Sequence, residues 1–100
     1  MDNVLRADAT ETVATDPRDK EVGVMLLVVL RSLVDRGDEV SMVPLADANG
    51  ISFQVHAPAD EVGKLIGKGG RTARAIRVIL GANAIKNRRR YSIDFSRNPE

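Results

Sequence analysis

Four consecutive residues, Gly67-Lys68-Gly69-Gly70, followed at once by Arg71, are the part of this sequence best suited to hold a charged ligand. Glycines let a chain turn tightly and bring bare backbone against a bound group. If a helix starts just after them, its first N–H groups present the positive end of the helix dipole, and Lys68 and Arg71 add full charges at the same spot. Phosphate is the ligand that such an arrangement suits.

Three phosphate-binding patterns compete for these glycines. A P-loop needs four residues between its first glycine and a Gly-Lys pair followed by Ser or Thr, whereas three residues separate Gly63 from Gly67 and Gly69 follows Lys68. A dinucleotide fingerprint needs a strand directly upstream and a small residue at position 72; the upstream segment reads as a helix and Thr72 stands there. The third pattern is a Gly-x-x-Gly loop between two helices, which clamps the sugar-phosphate backbone of about four single-stranded nucleotides. That pattern fits.

Other chemistry finds little material. The 100 residues include no Cys and a single His, so disulfide frameworks, thiolate metal sites, Cys nucleophiles and His-based metal centres are excluded. Carboxylates lie mostly away from the basic segment, and no catalytic residue, metal ligand or cofactor site is assigned. His56 falls on the polar phase at a strand end, the place of a solvated or locally hydrogen-bonded side chain. The longest apolar block, Val24 to Leu30, is far shorter than the roughly 20 residues that span a bilayer, so no membrane partner is expected. No secretory signal is visible, and the composition fits a reducing cytoplasm.

The net charge of +1 conceals a segregation. Residues 1–61 carry five basic and twelve acidic side chains; residues 62–100 carry ten basic and two acidic. Between Val62 and Ser92 there are nine Lys or Arg and no carboxylate. Such a run is either a solvated face or a polyanion-binding one, and its placement decides.

The elements that must position these residues follow from periodicity. Residues 1–15 show no periodic face and read as a flexible acidic tail, with 98–100 a short C-terminal tail and 16–97 the folded domain. Asp16 and Pro17 signal a helix start, and Val22, Met25, Leu26, Val29, Leu30 and Leu33 continue it as an apolar stripe. Gly37 is expected to end it as a left-handed cap. Val24, Val28 and Val34 widen the stripe enough to leave a possible dimer contact.

Glu39–Leu45 and Ile51–His56 alternate as two strands of a hairpin around Asn49-Gly50, with Pro44 placing the first at an edge. Pro58 opens a short helix that stops at Gly67; a second runs from Arg71 to about Ala84, with Gly81 weakening its later part. Lys86 to Arg90 form a basic turn, and Tyr91–Phe95 a last strand, parallel to Ile51–His56 across the two helices. The expected class is α+β: a three-stranded mixed sheet with three helices packed on one face.

The run from Val62 through Gly67-Lys68-Gly69-Gly70 to Arg77 closely resembles a KH domain, and especially the small bacterial single-KH proteins of the KhpA family. The resemblance spans roughly residues 18–96 and implies a type II, prokaryotic-type KH fold. It departs from the KH pattern at Ala73, where Ile is common, and in the length of the acidic tail. It implies a non-enzymatic protein that binds single-stranded RNA as a chaperone or post-transcriptional regulator. Gly67, Lys68, Gly69 and Gly70 would contact the backbone. Ile66, Ala73 and Ile76, with Val62 or Leu65, would line or support an apolar floor ringed by Lys64, Arg71 and Arg74, although helical phase favours the core for Leu65 and Ile76.

Arg88, Arg89 and Arg90 either extend the phosphate track or form a solvated loop. Phe53, Tyr91 and Phe95 sit at inward strand phases, as core residues rather than stacking platforms. One such surface binds modestly, so the resemblance also implies a homodimer, or a heterodimer with a larger KhpB-type partner. A second reading keeps the KH scaffold as a protein-interaction module with a vestigial groove.

Overall fold

Helix α1 (Pro17–Ser32) begins where the sequence places its start. Asp16 is extended, and its carboxylate accepts from the Arg18 amide at 2.9 Å, while Pro17 occupies a first-turn position where a missing N–H costs nothing. The structure, a computed structural model, describes residues 16–97; the two expected tails, 1–15 and 98–100, lie outside the described residues.

The end of α1 differs from expectation. The helix stops at Ser32, and Gly37 is not its cap: Leu33 caps it in a right-handed conformation, its N–H on the Leu30 carbonyl. Gly37 opens a short 3-10 turn, and a Cβ there would lie 2.9 Å from the Arg31 carbonyl oxygen. The glycine serves close approach rather than a left-handed turn. What draws the chain off the helix axis is tertiary: the Arg36 amide donates to the buried Glu61 carboxylate at 2.7 Å, and Arg31 reaches the Val40 carbonyl.

Strands β1 (Ser41–Ala46) and β2 (Gly50–Ala57) pair antiparallel, with Met42 opposite Val55 and Pro44 opposite Phe53. Strand β1 lies at an edge of the sheet, where Pro44 lacks only an N–H that no strand needs. The Asp47 carboxylate closes the hairpin by accepting from the Asn49 and Gly50 amides at 2.8 and 3.0 Å. Gly50 is not at positive φ; a Cβ there would collide with the Arg90 carbonyl oxygen at 1.8 Å.

Helices α2 (Ala59–Ile66) and α3 (Arg71–Asn87) carry the chain to β3 (Arg90–Arg97), which runs parallel to β2 with Phe53 beside Ile93. Thus the α+β mixed sheet is as expected. The inward phase, Met42, Ile51, Phe53, Val55, Ala57 and Ile93, is buried against Leu26, Leu30, Leu65, Ile76 and Leu80 from the three helices. The outward phase carries Val43, Gln54, His56 and Asp94, none of them buried, with His56 Nδ1 2.9 Å from Ser96 Oγ.

Contrary to expectation, α3 continues almost a turn beyond Ala84. Gly81 lies on its open side with no neighbouring atom within 4 Å and does not interrupt it. The helix ends in Arg88, the one non-glycine among the described residues at positive φ, at 57°.

Two buried carboxylates lock these elements together. Asp19 on α1 takes Arg89 Nη2 at 2.7 Å and the Tyr91 hydroxyl at 2.7 Å; that hydroxyl in turn accepts from Asn87 Nδ2 at 2.9 Å. Glu61 on α2 faces the Arg36 guanidinium and, at 2.9 Å, the Lys64 ammonium. Chiefly through Lys64, its pKa is lowered to about 2.

Candidate functional site

The Gly67–Gly70 loop stands between α2 and α3 as the spacing requires, but its three glycines are there for different reasons. Gly67 has φ +80° and ψ 166°, a region that only glycine occupies comfortably, and a Cβ would come within 2.3 Å of Thr72 Oγ1. The fold itself demands this glycine. Gly69 and Gly70 also have positive φ, yet no atom lies within 4 Å of where their Cβ atoms would be. Their bare side faces open space, which a ligand backbone can enter.

Electrostatics divides the basic residues. Among the described residues, ion pairs involve Arg18, Arg36, Lys64 and Arg89, and none involves Lys68, Arg71, Arg74 or Arg77. Those four are exposed around the loop and the first two turns of α3. Arg74 leans back over the loop, with Nη2 3.4 Å from the Gly69 carbonyl oxygen. Arg71 begins α3, so the positive end of that helix's dipole lies at the same place.

Lys64 is placed otherwise. Its ammonium lies 2.7 Å from Asp35 and 2.9 Å from Glu61, and these carboxylates, Asp35 first, raise its pKa. It belongs to the lock that holds α2 to the chain after α1, and it does not line the groove beside the loop.

That groove has a volume of ≈ 540 Å³ and is lined by Ile66, Gly70, Ala73, Arg74, Arg77, Asp94 and Phe95. Its floor is apolar: Ile66, one-third exposed, Ala73 and the half-buried Phe95. Its rim is cationic at Arg74 and Arg77, with one carboxylate, Asp94, on β3. Flat apolar surface beside unpaired cations suits a base and its phosphate together. Ile66 and Ala73 line the groove, Ala73 from a buried position, whereas Val62, Leu65 and Ile76 lie in the core cluster and do not line it.

Three groove residues escaped the sequence reading. Phe95 holds the inward phase, but near the end of an edge strand, where α2 and α3 leave it half covered. Arg77 follows Arg71 and Arg74 at intervals of three, a spacing that keeps all three near one side of α3 and was a legible signal. Asp94 had none, because only the parallel placement of β3 brings it there.

The basic turn is likewise divided. Arg88 and Arg90 are exposed, but Arg89 is spent on Asp19, with its remaining nitrogen 3.4 Å from the Ala48 carbonyl oxygen. Among the described residues no group of three or more metal-binding side chains occurs, and no helix is long and apolar enough to cross a membrane.

Comparison with known proteins adds an independent observation. Residues 24–95 match the KhpA/KhpB, KH domain family. Over 67 residues the chain is 39% identical to RNA-binding protein KhpA of Borreliella burgdorferi, covering 67% of this chain and 82% of that protein. It is 36% identical over 71 residues to RNA-binding protein KhpA of Treponema pallidum, covering 71% and 89% of the two chains. With RNA-binding protein KhpA of Clostridium acetobutylicum it shares 34% over 71 residues, 71% of this chain and 95% of that one. No solved structure matches it.

Proposed function

The chain belongs to the KhpA/KhpB KH-domain family, and from that premise we propose that it is a non-enzymatic, cytoplasmic protein that grips single-stranded RNA through its Gly67–Gly70 loop. The observation that carries this reading is the meeting of open glycine backbone, unpaired cations and an apolar groove on one side of the α2–α3 turn. The loop amides and Lys68 hold the sugar-phosphate backbone, Arg71 and Arg74 flank it, and bases lie on Ile66, Ala73 and Phe95. With one short groove whose single aromatic, Phe95, is half covered, affinity is modest and sequence preference loose, as an RNA chaperone or post-transcriptional regulator requires. The names of the relatives support the same ligand.

The test is fluorescence anisotropy with a mixed single-stranded RNA, comparing wild type with a Lys68→Asp, Gly69→Asp variant. Gly69 lies at φ 63°, ψ 18°, a left-handed conformation that Asp tolerates, so the variant retains the fold. Binding should fall at least tenfold with the melting temperature nearly unchanged. Equal binding by the two proteins would reject the loop as the site.

The pairing of this protein draws on a separate observation. Val24 and Val28 on α1 and Val78, Ile79 and Ile85 on α3 are exposed, Ile85 at 83%. We propose that a second copy or a larger KhpB-type protein covers such a face, giving the avidity that a single groove lacks. Light-scattering mass of wild type and Ile85→Asp, alone and mixed with a KhpB-type protein, tests this. A monomer that never pairs overturns it.

A further inference from the structure

The groove beside the loop does not end where the clamp for about four nucleotides would end. A second hollow, of ≈ 310 Å³, adjoins it along the open side of β3, and the two share Arg77 and Asp94. A third, of ≈ 430 Å³, adjoins the second through Tyr91 and Ser92, and reaches Arg90 and the hairpin turn. A fourth joins the third through Arg89 and Arg90 and extends to Arg88. Linked through these shared residues, the four hollows trace a furrow that follows α3 and β3 from the glycine loop to the hairpin turn and the basic turn.

The charges along this furrow are not balanced. Arg77 bridges the first two hollows, its Nη2 3.4 Å from the Ile93 carbonyl oxygen, and no carboxylate pairs with it among the described residues. Arg88 and Arg90 stand exposed at the far end. Two carboxylates lie on the path and stay charged: Asp94 accepts from Gln54 Nε2 at 3.3 Å, and Asp47 accepts from the Asn49 and Gly50 amides, which together with the nearby Arg89 and Arg90 lower its pKa. Arg89 is neutralised by Asp19. Arg74, Arg77, Arg88 and Arg90 outnumber the two carboxylates, so the path keeps a net positive charge.

Resting on the loop reading above, we infer that the same RNA strand continues from the Gly67–Gly70 clamp along the α3–β3 furrow, past Arg77, to a distal phosphate subsite formed by Arg88 and Arg90. Helix α3 has 17 residues and is roughly 25 Å long. A strand that follows the helix along this length runs well past the loop. The site is therefore longer than the loop, and its far end is read through phosphate.

Oligonucleotides of 4 and 10 nucleotides of one unstructured RNA sequence distinguish the cases when binding is measured across a range of salt. A longer RNA offers more registers to a short clamp and so binds tighter by statistics alone, but extra registers leave the salt dependence unchanged. Two further phosphate contacts steepen the log-log slope by about 1.4, at about 0.7 for each contact on a single strand. We expect that steepening in wild type, its loss in an Arg88→Gly, Arg90→Ser variant, and its return with Lys at both positions. Equal slopes at the two lengths in wild type, or steepening that survives in the Gly/Ser variant, would overturn the furrow. If the 10-mer binds through Arg88 and Arg90 while Lys68→Asp, Gly69→Asp has no effect, the furrow stands and the loop reading fails. No binding at either length overturns both.

Discussion

The two ends of α3 are built from similar residues and do opposite work. At its start, Lys68, Arg71 and Arg74 surround Gly69 and Gly70, whose open side meets no atom within 4 Å, and among the described residues no carboxylate pairs with them. At its finish, Arg89 is drawn down onto the buried Asp19, Tyr91 hydrogen-bonds the same carboxylate, and Arg18 donates to the terminal Asn87 carbonyl at 2.8 Å. An arginine is a site residue or a structural one according to whether the fold brings a buried acid to it. A basic run read as a single patch conflates the two.

Asp19→Ala should produce the largest effect on stability, because it strands Arg89 and the Tyr91 hydroxyl without their acceptor. Removing one partner of a buried ion pair costs about 3–5 kcal/mol. In a domain of this size, that lowers the melting temperature by more than about 10 °C. Removing Arg71 and Arg74 together should leave it nearly unchanged. Thermal melts by circular dichroism compare the two directly, and a comparable fall from both would erase the distinction between the ends.

The loop offers the next contrast. Gly67→Ala forces a side chain into Thr72 at an unfavourable φ, with an expected cost of about 2–3 kcal/mol. Gly69→Ala meets open space, and only the left-handed conformation opposes it, at about 1 kcal/mol. Urea titration separates them. If Gly69→Ala is as damaging as Gly67→Ala, the space outside the loop is not free for a ligand.

Acid sharpens the comparison on the α2 side, where Glu61 is the buried carboxylate that claims Lys64. Its folded-state pKa, about 2, lies below the ordinary 4.5, so the unfolded chain takes up its proton first. The contribution of these ion pairs is complete above about pH 4.5 and is lost as pH falls from there towards 2. Asp16, lowered from 3.8 to about 2 by Arg18, titrates within the lower part of that window. Glu61→Gln should therefore be less stable than wild type at pH 7, with the difference shrinking on acidification. A gap that stays constant from pH 7 to 3 would show that Glu61 is not held ionised.

What the sequence made legible is what local chemistry decides. Asp16-Pro17 begins α1, Pro44 marks an edge, period-two alternation gives the buried face of the sheet, and the glycine spacing gives the loop. What it did not disclose was decided at long range. Asp19 and Arg89 stand 70 residues apart, and nothing near either announces the other. Gly37 resembled a helix cap because its role, passing close to Arg31, depends on where Glu61 pulls the Arg36 amide. Helical phase sets Lys64 beside the groove and does not show that Asp35 lies across from it. Phe95 seemed core because alternation cannot tell where the covering helices stop.

The smallest expected effect tests the end of α3 against its own backbone. Arg88 is held at φ 57°, ψ 44°, a left-handed conformation that costs a non-glycine residue about 1 kcal/mol. Glycine adopts it freely but loses more entropy on folding, so Arg88→Gly should stabilise the domain by somewhat less than 1 kcal/mol, raising the melting temperature by a few degrees. That a strained position carries arginine where glycine would fold better is what a site kept for charge predicts. If Arg88→Gly is destabilising, Arg88 makes a structural contribution like that of Arg89, and both arginines belong to the lock. If it stabilises while flattening the salt dependence of long RNA, the strain is retained for binding, and the far end of α3 is itself divided between one arginine that holds the fold and one that faces the ligand.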